Sequence, residues 1–362
     1  MNQRAIPEIF LSLHLYIVTV NFCCNKIVDL KYIMMKIYAL YAVALMCCLV
    51  SCSSIQTLTF DQLSPATISF PERVRNVAVV NNMPVIPEAK RTILTLGEMN
   101  GNGKKSAEML ASALADSKYF NQVMICDSAL NETDLAKRRI LSSQEVMQLA
   151  EELDADIVFS LDLVNIQTER DEIFYPGLQG SWSVIKAEIT PVLSLYIPGR
   201  EEPMNVITKT DSLQWDASMA PSDRQMQEEA ASFSAYMLTQ MLVPYWQQAE
   251  RLYYDGGCVE MRDAAVCVRE NDWQGAYDLW HSLYEQTRSK KLKVRSAINL
   301  ALASEMQGDV MQAEKWLKEV EDKIVPGSDE DVVWKFYAGQ LAKRIKEFPH
   351  LNSQMSRFGN NF

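Results

Sequence analysis

From Ile185 to Ile197 every second residue is apolar or proline: Ile185, Ala187, Ile189, Pro191, Leu193, Leu195 and Ile197. Lys186, Glu188, Thr190 and Ser194 stand between them. Successive side chains of a strand point to opposite faces, so a period of two over this length specifies a half-buried strand. A chain that carries it must build a sheet with one face on a core. Pro191 has no N–H to give to a ladder and predicts an edge or a bulge. Shorter strand-like runs precede it. Val77-Ala78-Val79-Val80 is continuously apolar, as in a strand covered on both faces. Gln122–Cys126 and Asp156–Asn165 follow, the second with Ile157, Phe159, Leu161 and Leu163 on one side; Met204–Trp215 is a weaker partner strand. Helical patterns separate them. Ala107, Leu110, Ala111 and Leu114 lie at helical spacing within Lys104–Ser117. Leu141, Ser142, Glu145 and Val146 form a hydrophobic staple around a capping box, opening a helix that runs to about Leu153. Pro221–Leu242 is a further helix. The order β-α-β-α-β-β-β-α over 72–242 predicts an α+β fold, an α/β sandwich.

After Gly256-Gly257 the pattern is wholly helical. Residues 294–320 place Leu300 and Ala301 for a close helix contact, Gly308-Asp309 for a turn, and Ala313 and Leu317 as a small and a large packing residue. An earlier copy spans Met261–Glu285, with Asn271-Asp272-Trp273 at the turn, Ala276 as the small residue and Trp280 as the large one. These two copies resemble tetratricopeptide repeats; a plain helical bundle is the alternative. Ala276 and Ala313 are 37 residues apart, against about 34 in that family. Asp329–Phe348 closes the array, giving a tetratricopeptide-like helical domain over 243–348 and a tail over 349–362. By repeat position, the resemblance implies a concave groove for a protein partner lined by Met261, Ala265, Val268, Arg269, Arg295, Ile298, Leu302, Glu305 and Met306.

The N-terminal part specifies targeting. Lys36 precedes Ile37–Val50, a 14-residue run without charge. That is short for a membrane span, which needs about 20 residues, and right for a signal-peptide core. The run ends in Leu49-Val50-Ser51-Cys52, which resembles the lipobox of bacterial lipoproteins. The resemblance implies a signal peptide over 35–51, cleavage before Cys52, acylation of that cysteine, and a tether over 52–71. An uncleaved anchor is the alternative. Residues 1–34 fit no part of this plan and read as a mis-called start, with Met34 and Met35 as natural starts; a further membrane segment is the alternative. Ser53 follows the cysteine and the first acidic residue is Asp61. By resemblance this implies the periplasmic face of the outer membrane, with the cell surface as the other placement.

The valine-rich opening strand, the segment Asp116–Phe120 and the segment Ala150–Val158 make the sandwich similar to domains of envelope lipoproteins. These include the curli-secretion lipoprotein and activators of peptidoglycan synthases. The whole layout resembles a Gram-negative lipoprotein family of unknown function with a lipid anchor, an α/β domain and tetratricopeptide-like helices. It implies a non-enzymatic binding or assembly factor that takes an envelope protein partner. Regulation of an envelope enzyme such as a cell-wall synthase through the α/β half, and an enzyme with an unrecognised site, are the alternatives. No apolar hairpin suited to a pore is present.

Chemistry-bearing motifs are sparse. The net charge of −11 argues against a nucleic-acid partner, which needs concentrated positive surface. Three histidines without Cys/His spacing leave no zinc motif. Cys126, Cys258 and Cys267 read as buried structural thiols. Gly97-Glu-Met-Asn-Gly-Asn-Gly103-Lys104-Lys105-Ser106 resembles a phosphate-binding loop, but five residues separate the outer glycines and Lys105 intrudes before Ser106. It reads as a loop opening a helix. The acidic groups at 151–156 and 329–331 read as solvated helix ends. No catalytic, cofactor or metal residue is assigned. Asp127-Ser128-Ala129 and Asp211-Ser212-Leu213 resemble the Asp-Ser-aliphatic pattern of periplasmic O-glycosylation in some gut bacteria, which would modify Ser128 and Ser212.

Overall fold

A computed structural model describes residues 55–85, 95–130, 138–174 and 180–359. Cys52, the signal peptide over 35–51 and residues 1–34 lie outside the described residues. The chain forms an α/β sheet domain followed by an all-helical region, as the patterns predict. In chain order the strands are β1 (Ile55–Ser64), β2 (Asn76–Asn81), β3 (Gly97–Asn100), β4 (Gln122–Cys126), β5 (Ile157–Phe174), β6 (Ser181–Tyr196), β7 (Asn205–Thr208), β8 (Asp211–Asp216) and β9 (Tyr245–Tyr254). The helices are α1 (Gly103–Asp116), α2 (Ser143–Glu152), α3 (Asp223–Leu242), α4 (Val259–Arg269), α5 (Trp273–Gln286), α6 (Lys290–Met306), α7 (Val310–Val320) and α8 (Asp329–Met355).

The main sheet runs β4-β2-β5-β6-β7, with β3 added beside β5 and β8 beside β6. β2 is parallel to β4 and β5, and the long β5–β6 pair is antiparallel. Val77 and Val79 face a core shared with α1 and α3, whereas Ala78 and Val80 face a smaller cluster with Leu141, Val146 and Ala150 around α2. Both faces of β2 are thus covered, which is why its sequence does not alternate. The capping box at Ser142 and Glu145 forms as expected. Pro191 is neither at an edge nor at a bulge of its own strand. It falls in the gap where the outer neighbour of β6 changes from β8, paired at 184–189, to β7, paired at 192–195. A missing N–H is tolerated there. The bulge sits across the ladder in β5, between Leu161 and Leu163.

The expected tether holds a strand, and so does the start of the expected helical domain. β1 and β9 pair antiparallel along ten residues, from Ile55↔Tyr254 to Ser64↔Tyr245, as a separate two-stranded ribbon. The ribbon packs on α6 and α8, adding Tyr253 and Tyr254 to the core of the helical half. Helices α4 to α8 pack consecutively. Their turns are those expected: Asn271 takes a left-handed φ of 59° and Gly308 one of 90°, and Asp272 and Asp309 cap the following helices. Ala276, Trp280, Ala313 and Leu317 are all interior. α8 does not stop at Phe348. It passes through Pro349 to Met355, and its extension is fixed by contacts to the sheet domain.

Tyr254 and Tyr337 are buried, and desolvation pushes both hydroxyls well above their usual range. Desolvation also lifts Tyr284, to about 12. A folded-state value above the unfolded one of about 10 means that the contribution to stability is complete below that pH. It is lost as pH rises further, because the unfolded chain ionises first. Stability is expected to hold to pH of about 10 and then fall, with the tyrosinate absorbance of these three rings appearing together with loss of helix in an alkaline titration.

Candidate functional site

The C-terminal ends of the parallel strands β2 and β4 meet the N-terminus of α1, an arrangement that commonly forms ligand crevices in α/β sheets. A cleft of about 230 Å³ lies there, lined by residues including Asn81, Asn102, Lys104, Asp127, Ser128 and Gln227. Its charges are already paired. Lys104 Nζ lies 2.9 Å from Asp127 Oδ2, and the two groups reinforce one another's charged forms. The glycines that suggested a phosphate loop serve packing. A Cβ at Gly101 would come within 2.6 Å of Val164 Cγ1, and one at Gly103 within 2.5 Å of Asn81 Oδ1. Gly97 belongs to β3, which pairs with β5. The Asn102 side chain caps α1 by accepting from the Lys105 N–H.

Beside the cleft, the β5 bulge leaves Asp162 out of the ladder with its carboxylate fully buried. Ser160 donates to Oδ1 at 2.7 Å, Asn82 to Oδ1 at 3.0 Å, and Arg138 and Ser194 donate to Oδ2 at 2.9 and 2.5 Å. Arg138 also donates to Ser194 at 2.6 Å. Each Asp162 oxygen has two donors, so the cluster ties the segment before α2 to β5 and β6 and leaves neither carboxylate oxygen without a partner.

The groove expected in the helical half is filled from within the chain. Met261, Ala265, Val268, Arg295, Ile298, Leu302 and Glu305 are buried, Met306 is half-buried, and Arg269 is exposed. Of these nine, Arg269 alone is open to solvent. The neighbouring helices and the ribbon are the reason. Asn299 of α6 grips the β9 backbone, accepting from the Tyr254 N–H at 2.8 Å and donating to the Tyr254 carbonyl at 2.7 Å. Arg251 of β9 is paired with Glu305 by donation from Nε at 2.9 Å and from Nη2 at 2.7 Å. Tyr337 of α8 donates to the same carboxylate at 2.8 Å. Arg295 lies over the Tyr254 ring and bonds Glu330. The acidic run at 329–331 is likewise corrected. Glu330 and Asp331 are buried, held by Arg295 and Lys335, because α8 turns its first turn onto α6. Asp156 is also tied in, accepting from the Arg75 and Asn76 N–H groups.

The open apolar surface lies on the sheet domain. Along α3, Phe233 and Tyr236 stack with ring centroids 6.3 Å apart, outside the Met226–Ala230–Met237 face that enters the core. Tyr236 is 58% exposed and Trp246 of β9 is 68% exposed. Two hollows of about 350 and 450 Å³ share Asp116, Thr239, Tyr245 and Trp246, and a shallower one continues past Phe233 and Tyr236. The strip therefore runs from Phe358 to Leu213, with Asp116, Glu228 and Glu229 on its rim. Of its aromatics only Tyr119 falls in a segment that carries a sequence resemblance, and none reads from sequence as a binding residue. The available signal was in α3, where Phe233, Tyr236 and Gln240 lie at helical spacing as a second stripe beside the core-facing one.

Ser128 is exposed on the first cleft and Ser212 is half-buried on β8. Cys126, Cys258 and Cys267 are free thiols, partly rather than fully buried. Among the described residues no group of three or more His, Cys, Asp or Glu side chains is placed to hold a metal, and no described helix is long and apolar enough to cross a membrane.

A family model described as Domain of unknown function (DUF8603) matches residues 74–254, half of the chain, and a second, Domain of unknown function (DUF6340), matches 262–343. No curated protein matches. Solved structures to which the chain is similar include three from different bacteria. One is a PelC dodecamer from Paraburkholderia phytofirmans, 15% identical, covering 52% of this chain and 99% of that one, TM-score 0.25. Another is a minor lipoprotein from Acinetobacter baumannii, 8% identical, covering 47% and 93%, TM-score 0.23. The third is a Xanthomonas campestris protein of family DUF330, 12% identical, covering 50% and 87%, TM-score 0.22. At these TM-scores none of the three fixes the fold of this chain.

Proposed function

We propose that this chain, which belongs to the family described as Domain of unknown function (DUF8603), is a lipid-anchored envelope protein that binds a protein partner through the apolar strip on α3 and β9 and has no catalysis of its own. Anchoring is supported by the lipobox-like Leu49–Cys52 and its apolar leader, and placement is on the periplasmic face of the outer membrane. The observation that carries the binding reading is the exposure of Tyr236 and Trp246 on one continuous apolar surface. Exposed aromatics clustered over hollows are what interface anchors look like before a partner covers them. The helical half, tetratricopeptide-like in its turns and small–large packing, has given its groove to the ribbon and acts as a scaffold. Asp116, Glu228 and Glu229 stand on the rim together with Lys118 and Arg224, so the border suits a partner whose apolar contact is ringed by charges of both signs. An envelope enzyme such as a cell-wall synthase is one such partner, and docking on the α/β half favours that form of the reading over a partner held by the repeats.

Photo-reactive residues at 236 and 246 are expected to give a common cross-linked species in intact cells, and one at Met311, exposed on α7, none. Interface anchors contribute about 2 kcal/mol or more each, so Tyr236→Glu with Trp246→Glu is expected to lower recovery of that species by more than about ten-fold. Cross-links from 311 alone would overturn the placement.

A further inference from the structure

We infer that the β9–α4 turn and the N-terminal end of α6 form a face that lies on the membrane, with Arg288, Lys290, Lys291 and Lys293 contacting the headgroups of anionic phospholipids. The inference rests on acylation of Cys52. Three steps of chain separate Cys52 from Ile55, and extended chain spans at most about 3.6 Å per residue, so the anchor lies within about 11 Å of Ile55. Ile55 is opposite Tyr254 in the ribbon, and Gln56 donates to Asp255 at 2.8 Å. The anchored end of the ribbon is therefore the end that leads into Gly256-Gly257 and α4.

That end is where α6 begins. Arg295 lies 4.6 Å from the centre of the Tyr254 ring, and a Cβ at Gly257 would come 3.2 Å from Leu292 Cδ2. Lys291 and Lys290 lie one turn further toward the start of α6, about 6–8 Å along its axis from Arg295. Arg288, Lys290 and Lys291 are exposed and Lys293 is half-buried. Lys293 sits over the Tyr284 ring at 4.7 Å, and Lys291 lies 3.5 Å from Glu330, a carboxylate already taken by Arg295. Val259, 54% exposed at the first position of α4, is the apolar element of the same end. Glu260 is exposed beside it.

The placement of these cations opposes local helix electrostatics. α6 has no acidic residue in its first turn, so four cations within six residues surround the positive end of a helix dipole in a chain of net charge −11. Like charges there repel one another and the dipole. An anionic surface adds an attraction to each of these cations that offsets their mutual repulsion. Acyl chains attached at one point tether the chain without orienting it, and a polybasic patch beside them is a second attachment that fixes orientation. With this end on the membrane, the ribbon's other end, carrying Trp246 opposite Leu63, points the apolar strip away from the bilayer and toward a partner.

The test uses the full chain purified from membranes and reconstituted into vesicles of phosphatidylcholine alone or with one quarter phosphatidylglycerol. Intact mass is measured first. A photo-reactive residue replaces Val259 in one preparation and Met219, exposed on the sheet domain, in another. Lipid adducts are expected at 259 and not at 219, and more in the phosphatidylglycerol vesicles. Lys290→Glu with Lys291→Glu is expected to lower the adduct at 259 by about five-fold or more. Raising salt on the unsubstituted pair should have the same effect without any change of charge, as screening requires. Equal adducts at 259 and 219 in a chain whose mass includes the lipid overturn the membrane face alone. A mass without lipid overturns the anchoring reading, and the membrane face with it.

Discussion

Replacing Glu305 by alanine will destabilise the chain by about 3–5 kcal/mol, more than loss of any surface ion pair it makes. Arg251 donates to both Glu305 oxygens and both residues are buried. Bringing two charges out of water is unfavourable, and their mutual attraction offsets this only while the geometry is complete. Here it is complete. Arg251 also donates to the Glu250 carbonyl, and Tyr337 donates to Glu305. The guanidinium lies 5.5 and 5.6 Å from the centres of the Phe60 and Tyr337 rings. Removing one partner leaves a buried guanidinium without a counter-charge. Removing both, as Arg251→Met with Glu305→Leu, should be milder than either single loss. A urea titration of the unsubstituted protein, Arg251→Met, Glu305→Leu and the two combined reads this as a coupling energy, and equal effects of the single and double changes would contradict it. Arg251 lies in β9, so hydrogen exchange should rise at Leu252–Tyr254 and leave β2 and β5 unchanged.

The same pair shows where sequence reading loses its hold. Local patterns were sufficient wherever the deciding contacts are local. Val77–Val80, the alternation over Ile185–Ile197, the Ser142–Glu145 box and the turns at Asn271-Asp272 and Gly308-Asp309 depend on neighbours within a few residues. β9 reads Tyr-Trp-Gln-Gln-Ala-Glu-Arg-Leu-Tyr-Tyr, a run with few β-branched residues, and its partner β1 begins 199 residues before its end. No window along the chain contains both strands. By repeat position, Arg295 and Glu305 belong on a groove open to a partner. They are interior because Glu330 and Arg251 arrive from other elements to neutralise them. The ribbon occupies the groove, and the exposed aromatics proposed in its place are recognisable only after the core-facing stripe of α3 is known. The Asp162 cluster was equally hidden, since its donors come from four separate segments.

Replacing Gln354 and Arg357 together by alanine will split the unfolding of the chain into two transitions. The extension of α8 beyond Pro349 is the tie between the halves. Gln354 is buried and accepts from the Ala66 N–H at 2.9 Å while donating to the Ala66 and Ile68 carbonyls at 3.0 and 3.1 Å. These backbone groups belong to the link between β1 and β2, and they have no strand to pair with. Losing their partner leaves buried polar groups unsatisfied, at about 1–3 kcal/mol each. Arg357 lies 4.0 Å from the centre of the Tyr119 ring and donates to the Tyr119 and Pro71 carbonyls at 2.9 and 3.1 Å. It is only half-buried, so its share is nearer about 1 kcal/mol. The summed loss, about 4 kcal/mol, is directed entirely at the junction, because neither residue belongs to the core of the sheet or of the helices. Each half has its own apolar cluster and keeps it. Calorimetry should therefore resolve a second transition, and limited proteolysis should cut near Arg73 and Arg75 before either half is degraded. A single transition with the link still protected would mean that the ribbon, continuous with α3 through Val243 and Pro244, holds the halves together without the tail.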